Sequence, residues 1–289
     1  MGKQPRRTAL RPEVLERRRM DGYWREKIVF DVEADLSASA WLCRPLAPRR
    51  GGEPAVLFCH GPGPGKDPLV GLWQGEPCLE YHKLVAVRLA QAGFLTLTYD
   101  RRGHGERSSV ADGHPTDADL SELDAFYQGR GSSLLAMDIW DGRRALDLLA
   151  AHDDVDAARV GCMGIDAGAT VAAGIAALDR RVAAVALTSF VSEERRFPGA
   201  AQLPMLNARA NSVDLCGLIA PDPLLLQIPM ADYIPVADAR RAARRVREMY
   251  RFADSDACRI VVFDGVLELD LPSLTDWLHE QLDTKEQPS

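Results

Sequence analysis

Six short, almost continuously apolar runs, AVLFCH (55–60), FLTLTYD (94–100), RVGCMG (159–164), VAAVALT (182–188), PLLLQIP (223–229) and CRIVVFD (258–264), are separated by longer segments with helical periodicity. A strand wetted on one face alternates apolar with polar residues. A run that is apolar throughout needs cover on both faces, which a parallel sheet flanked by helices provides. The order of runs therefore predicts an α/β fold with a mostly parallel sheet and helices on both faces. Upstream, KIVFDVEA (27–34) and SASAWLCRP (37–45) predict an antiparallel pair at the N-terminal edge of that sheet.

The helical segments carry their own pattern. Between Val236 and Tyr250 the apolar residues fall at Val236, Ala239, Ala242, Ala243, Val246, Met249 and Tyr250, leaving Arg240, Arg241, Arg244, Arg245 and Arg247 on a solvated face. The last helix repeats this with Leu274, Trp277, Leu278 and Leu282 inward. A chain of 289 residues with 46% hydrophobic content can bury one full core. We expect one domain over residues 22–283, a basic helical extension over 1–21, and a small cap-like insertion around 189–212.

Charge narrows the partners. A net charge of -7 and a pI near 5.5 disfavour a nucleic-acid or anionic-membrane binder and leave small molecules as the expected ligands, with room for a homodimer. The N-terminus lacks the apolar core of a signal peptide and no run approaches a membrane span, so a cytoplasmic protein is expected. The six cysteines (Cys43, Cys59, Cys78, Cys162, Cys216 and Cys258) show no C-x-x-C spacing and read as buried free thiols rather than disulfides or a zinc site. HGPGPGKD (60–67) places Asp67, not Ser or Thr, after Lys66, so it is no phosphate loop; neither cofactor nor metal is expected.

Gly161 to Gly168 reads GCMGIDAG and lies between a strand and a small-residue helix. It resembles the G-x-S-x-G nucleophile elbow with aspartate in place of serine. Together with HGPGPGKD, YDRRGHGER (99–107), the run from Gly131 to Gly164, and DLCGLIAPDPLLLQ (214–227), it makes the chain similar to the α/β-hydrolase superfamily, nearest its dienelactone-hydrolase-like and acetyl-xylan-esterase-like branch, from about residue 22 to 283. The resemblance implies an elbow serine, a histidine after the last strand and an acid after the preceding one. Carried over residue by residue, the serine position falls on Asp166, flanked by Gly164 and Gly168. The acid falls on Asp232 counted from the strand, or on Ala231 counted back from Pro235. The histidine falls on Leu267, within Gly265-Val266-Leu267, and no histidine lies between residues 153 and 278.

The oxyanion hole is altered as well. Its donors in the resembled family are the amide after the nucleophile, here Ala167, and one from the loop His60-Gly61-Pro62, where Pro62 has no N–H to give. Losing one such donor costs about 10²–10³ in rate. The sequence thus predicts that the protein is not a serine hydrolase. Three readings stay open: a small-molecule enzyme of bacterial secondary metabolism using Asp166 as acid or base in a cyclisation, isomerisation, elimination or decarboxylation; a catalytically dead homologue acting as a binding or scaffold protein; and a hydrolase with Asp166 as carboxylate nucleophile. Asp166, Asp232 and His104 are the candidate catalytic residues. His60, Gly61, Ala167, Arg102 and Leu267 are the candidate substrate-binding residues. His104 has a loop-stabilising alternative, Arg101 and Arg102 a salt bridge to a surface acid, and Glu268 could also enter the pocket.

Overall fold

The computed structural model describes residues 2–47, 49–73, 80–193 and 210–283. The expected cap-like insertion lies largely outside the described residues, as does Cys78. Among the described residues the chain builds a nine-stranded sheet in the order β1-β2-β3-β5-β4-β6-β7-β8-β9. The strands are β1 (Glu13–Arg19), β2 (Tyr23–Glu33), β3 (Leu36–Pro45), β4 (Glu53–Cys59), β5 (Leu95–Tyr99), β6 (Val155–Ile165), β7 (Val182–Thr188), β8 (Leu224–Pro229) and β9 (Cys258–Phe263). β1, β2, β3 and β5 pair antiparallel in sequence, and from β5 through β4 to β9 every pairing is parallel.

All six predicted runs are parallel strands. β4, β5 and β8 are buried along their whole length, as a strand covered on both faces must be. The helices are α1 (Val85–Gln91), α2 (Asp117–Gln128), α3 (Leu134–Ala150), α4 (Ala167–Leu178), α5 (Ser212–Gly217), α6 (Val236–Phe252) and α7 (Leu271–Leu282). One hydrophobic cluster joins the sheet to Ile139 and Leu146 of α3, Ala172 and Ile175 of α4, and Ala239, Val246 and Tyr250 of α6. A second cluster, on the other face, joins it to Val85 and Leu89 of α1 and to Leu274, Trp277 and Leu278 of α7. The inward faces of α6 and α7 are those their spacing predicts.

The N-terminal extension is a correction. Residues 13–19 form an edge strand rather than a helix, antiparallel to β2 and exposed at six of seven positions. EVLERRR has no apolar face of either period to bury, so local propensity yields to the unpaired main-chain groups of β2, and Arg17 adds an ion pair to Glu26 at 2.9 Å. A charged outermost strand also disfavours further edge-to-edge pairing.

Strand order locates the site. From β4 the chain crosses to one side to form β5 and then to the other to form β6. The crevice at the carboxyl ends of β4 and β6 is therefore a topological switch point, where open α/β sheets bind ligands. Buried charge holds two of its loops together. Lys66, after β4, gives its ammonium to Asp100 at 2.7 Å and Glu106 at 2.6 Å, both after β5, and its amide to the second Asp100 oxygen at 2.9 Å. HGPGPGKD and YDRRGHGER are thus two halves of one clamp.

Candidate active site

Asp166 stands between β6 and α4 with φ 54° and ψ −124°. A side chain rarely adopts this conformation, and the surroundings enforce it. The Asp166 amide donates to Thr188 O at 3.0 Å, and its carbonyl accepts the Ala169 amide at 2.9 Å as the first turn of α4 closes. The flanking glycines are sterically required. A Cβ on Gly164 would lie 2.4 Å from Gly168 O, and one on Gly168 would lie 2.2 Å from Cys59 O. The elbow geometry survives with a carboxylate at its tip.

That carboxylate is buried, with 8% of the residue exposed. Burial pushes it up from 3.8 to about 6, against hydrogen bonds from the Tyr233 hydroxyl and the Ala167 amide and the positive charge of Arg101, all of which favour the ionised form; Asp232 nearby pushes it further up. Asp232, half-buried, accepts the Tyr233 amide at 2.7 Å, which fixes the loop after β8 that brings Tyr233 to the site. Met230 and Ala231 bond to Phe263 O and Gly265 O, both at 2.9 Å, so this loop runs beside the one carrying Leu267. Leu267 packs on the cluster that holds Trp277 and Leu274. Glu268 pairs with Lys83 at 2.9 Å instead of entering the pocket.

The histidines on this side are structural in geometry. His60 is fully buried: Nδ1 bonds to Gly61 O at 2.7 Å and Nε2 accepts the Arg101 amide at 3.1 Å, so it joins the loops after β4 and β5. His104, expected as a candidate base, sets Nδ1 on Arg102 O at 3.1 Å and Nε2 on the Arg101 guanidinium at 3.3 Å. Burial first and the Arg101 charge second hold both rings well below the ordinary imidazole range. With its lone pair turned to a guanidinium, His104 cannot take a proton from water, and its catalytic assignment is withdrawn.

Arg102 is corrected too. Its guanidinium makes four hydrogen bonds, two to the fully buried Asp141 at 2.8 and 2.7 Å, one to Tyr127 at 2.9 Å and one to Glu33 at 2.7 Å. Only 3% of it is exposed. It anchors the loop after β5 to α3 through a buried acid, not through a surface one, and does not reach a substrate.

Three residues gain weight that sequence reasoning did not give them, and a fourth, Arg101, takes a place other than the substrate contact or surface salt bridge expected for it. Tyr233 is one. Tyr81 donates to Pro62 O and feels the Asp166 charge, which, after burial, raises its hydroxyl. His82 accepts the Gly61 amide at 3.3 Å and is lowered to about 3, mainly by burial, while its Nδ1 is buried without a partner. Arg101, 5% exposed, bonds to Gly61 O at 3.3 Å and sits electrostatically among Asp166, His60, His82 and His104. The one available signal was proximity to the quoted motifs: Tyr233 follows Asp232, and Arg101 lies in YDRRGHGER. Beside the elbow, Ser189 also has a positive φ, 52°, and a buried Oγ without a partner.

No protein-family model matches the chain. It is 27% identical over 251 residues to YtaP of Bacillus subtilis, named as a hydrolase, across 82% of this chain and 80% of that protein. A shorter stretch of 117 residues is 36% identical to polyketide transferase claH of Penicillium crustosum, spanning 39% of this chain and 32% of that one. Among solved structures, a Bacteroides fragilis protein named as an acetyl xylan esterase superposes with TM-score 0.75 at 19% identity, over 89% of this chain and 70% of that one. Glucuronoyl esterase from Solibacter usitatus superposes with TM-score 0.70 at 16% identity, over 97% and 88%. Esterases and a hydrolase in this company overturn the expectation of a non-hydrolytic acid–base enzyme or a dead scaffold. The chain has the α/β-hydrolase fold.

Proposed function

We propose that the protein hydrolyses small carboxylic esters, with Asp166 acting as general base on a water molecule at the position where the resembled family places a serine nucleophile. The observation that carries this reading is a carboxylate at the tip of an intact elbow, raised to about 6 by burial, while the acceptor nitrogens of His60, His82 and His104 are taken by the Arg101 amide, the Gly61 amide and the Arg101 guanidinium. A base with that affinity is mostly ionised at neutral pH yet still binds a proton strongly enough to pass it on. The esterase names among the structural neighbours supply the substrate class.

The reaction balances with groups already present. Water, held by the Asp166 carboxylate, adds to the ester carbonyl carbon as Asp166 takes its proton. The carbonyl π pair moves onto oxygen as the oxyanion, to which the Ala167 amide donates. Collapse breaks the bond to the leaving alkoxide, which receives the proton from Asp166. Acid and alcohol leave, and Asp166 is ionised again. Arg101 holds the ionised form available without touching substrate. Leu267 in the histidine position adds apolar wall, which keeps bulk water away from the base.

Single turnover of 4-nitrophenyl acetate in H₂¹⁸O, followed by mass analysis of the peptide containing Asp166, tests the reading. Under general-base hydrolysis the acetate carries the label and Asp166 does not. Label incorporated into Asp166, or an acyl adduct on it, would replace the base with a carboxylate nucleophile.

A further inference from the structure

We infer that Arg25 on β2 and Arg18 on β1 bind a phosphate group, carried by a small molecule or free in solution, at a site separate from Asp166. The inference does not depend on the ester-hydrolase reading. In the sheet order β2 lies four strand steps from β6, about 19 Å at the usual strand spacing. An unpaired buried charge is the first observation. Four arginines are buried among the described residues: Arg25, Arg101, Arg102 and Arg144. Three have a carboxylate partner, Asp138 for Arg101 at 3.5 Å, Asp141 for Arg102 at 2.7 Å and Asp147 for Arg144 at 2.6 Å. Arg25, 6% exposed, has none, and no hydrogen bond from the described residues reaches its guanidinium. Its Nε is buried without a partner.

Strand register adds a second cation. β1 and β2 set Glu16 opposite Lys27, Arg17 opposite Glu26 and Arg18 opposite Arg25. The first two pairs are complementary, and Arg17 reaches Glu26 at 2.9 Å. The third places like charges directly across from each other, which is destabilising unless an anion joins them. Residues directly opposite in an antiparallel pair share a face, so Glu16, Arg18, Arg25 and Lys27 stand on the face of Trp41, the neighbour of Lys27 on β3. The acids there are already engaged: Glu16 bonds to Arg18 at 2.6 Å and Glu106 to Lys27 at 2.9 Å. Trp41, its Nε1 fixed by Asp67 at 2.7 Å, lies under the Arg25 guanidinium at 5.1 Å and the Lys27 ammonium at 6.0 Å from the ring centre. A ring face offsets part of the cost of burying the charge, yet it leaves the guanidinium N–H groups without an oxygen acceptor. Burial raises Tyr23 and Cys43, the latter to about 12, so neither supplies a negative charge at neutral pH. Two guanidinium forks on neighbouring strands suit a tetrahedral dianion, which has an oxygen edge for each, better than a planar carboxylate, which has one.

The test titrates inorganic phosphate and phenyl phosphate into wild type, Arg25→Met and Arg18→Gln at pH 8 and constant ionic strength, reading ³¹P line broadening. Wild type should broaden the line of at least one of them saturably. Arg25→Met should weaken that binding about tenfold or more, the loss expected for hydrogen bonds to a charged group, and Arg18→Gln should weaken it less. Tighter binding of phenyl phosphate would identify a phosphate monoester as the ligand, and equal or tighter binding of inorganic phosphate would identify the free anion. Absence of saturable broadening by both anions in wild type, or equal affinity in wild type and Arg25→Met, would overturn the inference. So would acetate that displaces phosphate at equal concentration, because the site would then take a carboxylate. A second measurement guards against a folding defect. In phosphate-free buffer Arg25→Met should melt no lower than wild type, since it loses an unpaired buried charge and keeps an apolar chain on Trp41. A lower melting temperature would show that the guanidinium already has a partner, and would overturn the inference as well.

Discussion

Replacing Asp166 by asparagine should stabilise the protein at neutral pH while abolishing its proposed chemistry. The raised value sets the magnitude. A carboxylate moved from 3.8 to about 6 makes ionisation in the folded state cost about 3 kcal/mol, at about 1.36 kcal/mol per tenfold change in proton affinity. With 8% of Asp166 exposed, little of this is lost to solvent screening. The folded state binds more protons than the unfolded chain between pH 3.8 and about 6, so this contribution to stability is full below pH 3.8 and is lost as pH rises through 6. Asparagine is neutral throughout, its carbonyl can accept from Ala167 and Tyr233, and it tolerates a positive φ. Urea unfolding of both proteins should therefore show the variant more stable by about 2–3 kcal/mol at pH 8, with the gap narrowing to about half by pH 5. A gap that does not change with pH, or a wild type more stable than the variant at pH 8, would refute the assignment of Asp166 as a buried, raised carboxylate.

Arg102→Ala breaks a buried, bidentate pair with Asp141 and should lower unfolding free energy by about 3–5 kcal/mol; equal stability combined with a raised KM would return Arg102 to the substrate site. Gly168→Ala should yield little folded protein on expression, since its Cβ would lie 2.2 Å from Cys59 O and 2.4 Å from His60 O. Normal yield and an unchanged melting temperature would mean that the elbow is looser than described. Ser189→Gly relieves a positive φ and removes a buried hydroxyl without a partner, so thermal unfolding should report a gain of about 1 kcal/mol; a loss would mean that Ser189 Oγ makes a bond that matters.

The legible parts of this fold were those set by burial. β4 and β8 read as continuous apolar runs because both faces are covered, and α6 showed its inward face because its outward face is arginine. β1 was not legible. Its EVLERRR is held by main-chain pairing to an open sheet edge, a force that leaves no pattern in side chains. The elbow could be read from Gly164 and Gly168 because steric exclusion acts on the identity of the residue itself. Asp166 followed from the same motif. Tyr233 did not, since its contact with Asp166 depends on the path of the loop after β8, which spacing alone left ambiguous by one residue. Arg102 and His104 were read as functional because charged and aromatic groups at strand ends often are. Asp141, which occupies Arg102, is a neighbour only in three dimensions, and the Arg101 guanidinium meets the His104 ring only because the loop turns between them. The chemistry was misjudged for a different reason. Loss of serine and histidine removes one mechanism of ester hydrolysis, and the sequence alone could not separate that from loss of hydrolysis itself.

The pH dependence of kcat/KM for 4-nitrophenyl acetate, in wild type and Asp166→Asn, tests the central claim most directly. A general base at about 6 predicts a rate that rises through pH 6 and levels off above it, and a variant slower by about 10²–10⁴ with that rise absent. An asparagine variant that keeps both the rate and the rise would contradict the claim that Asp166 carries the reaction.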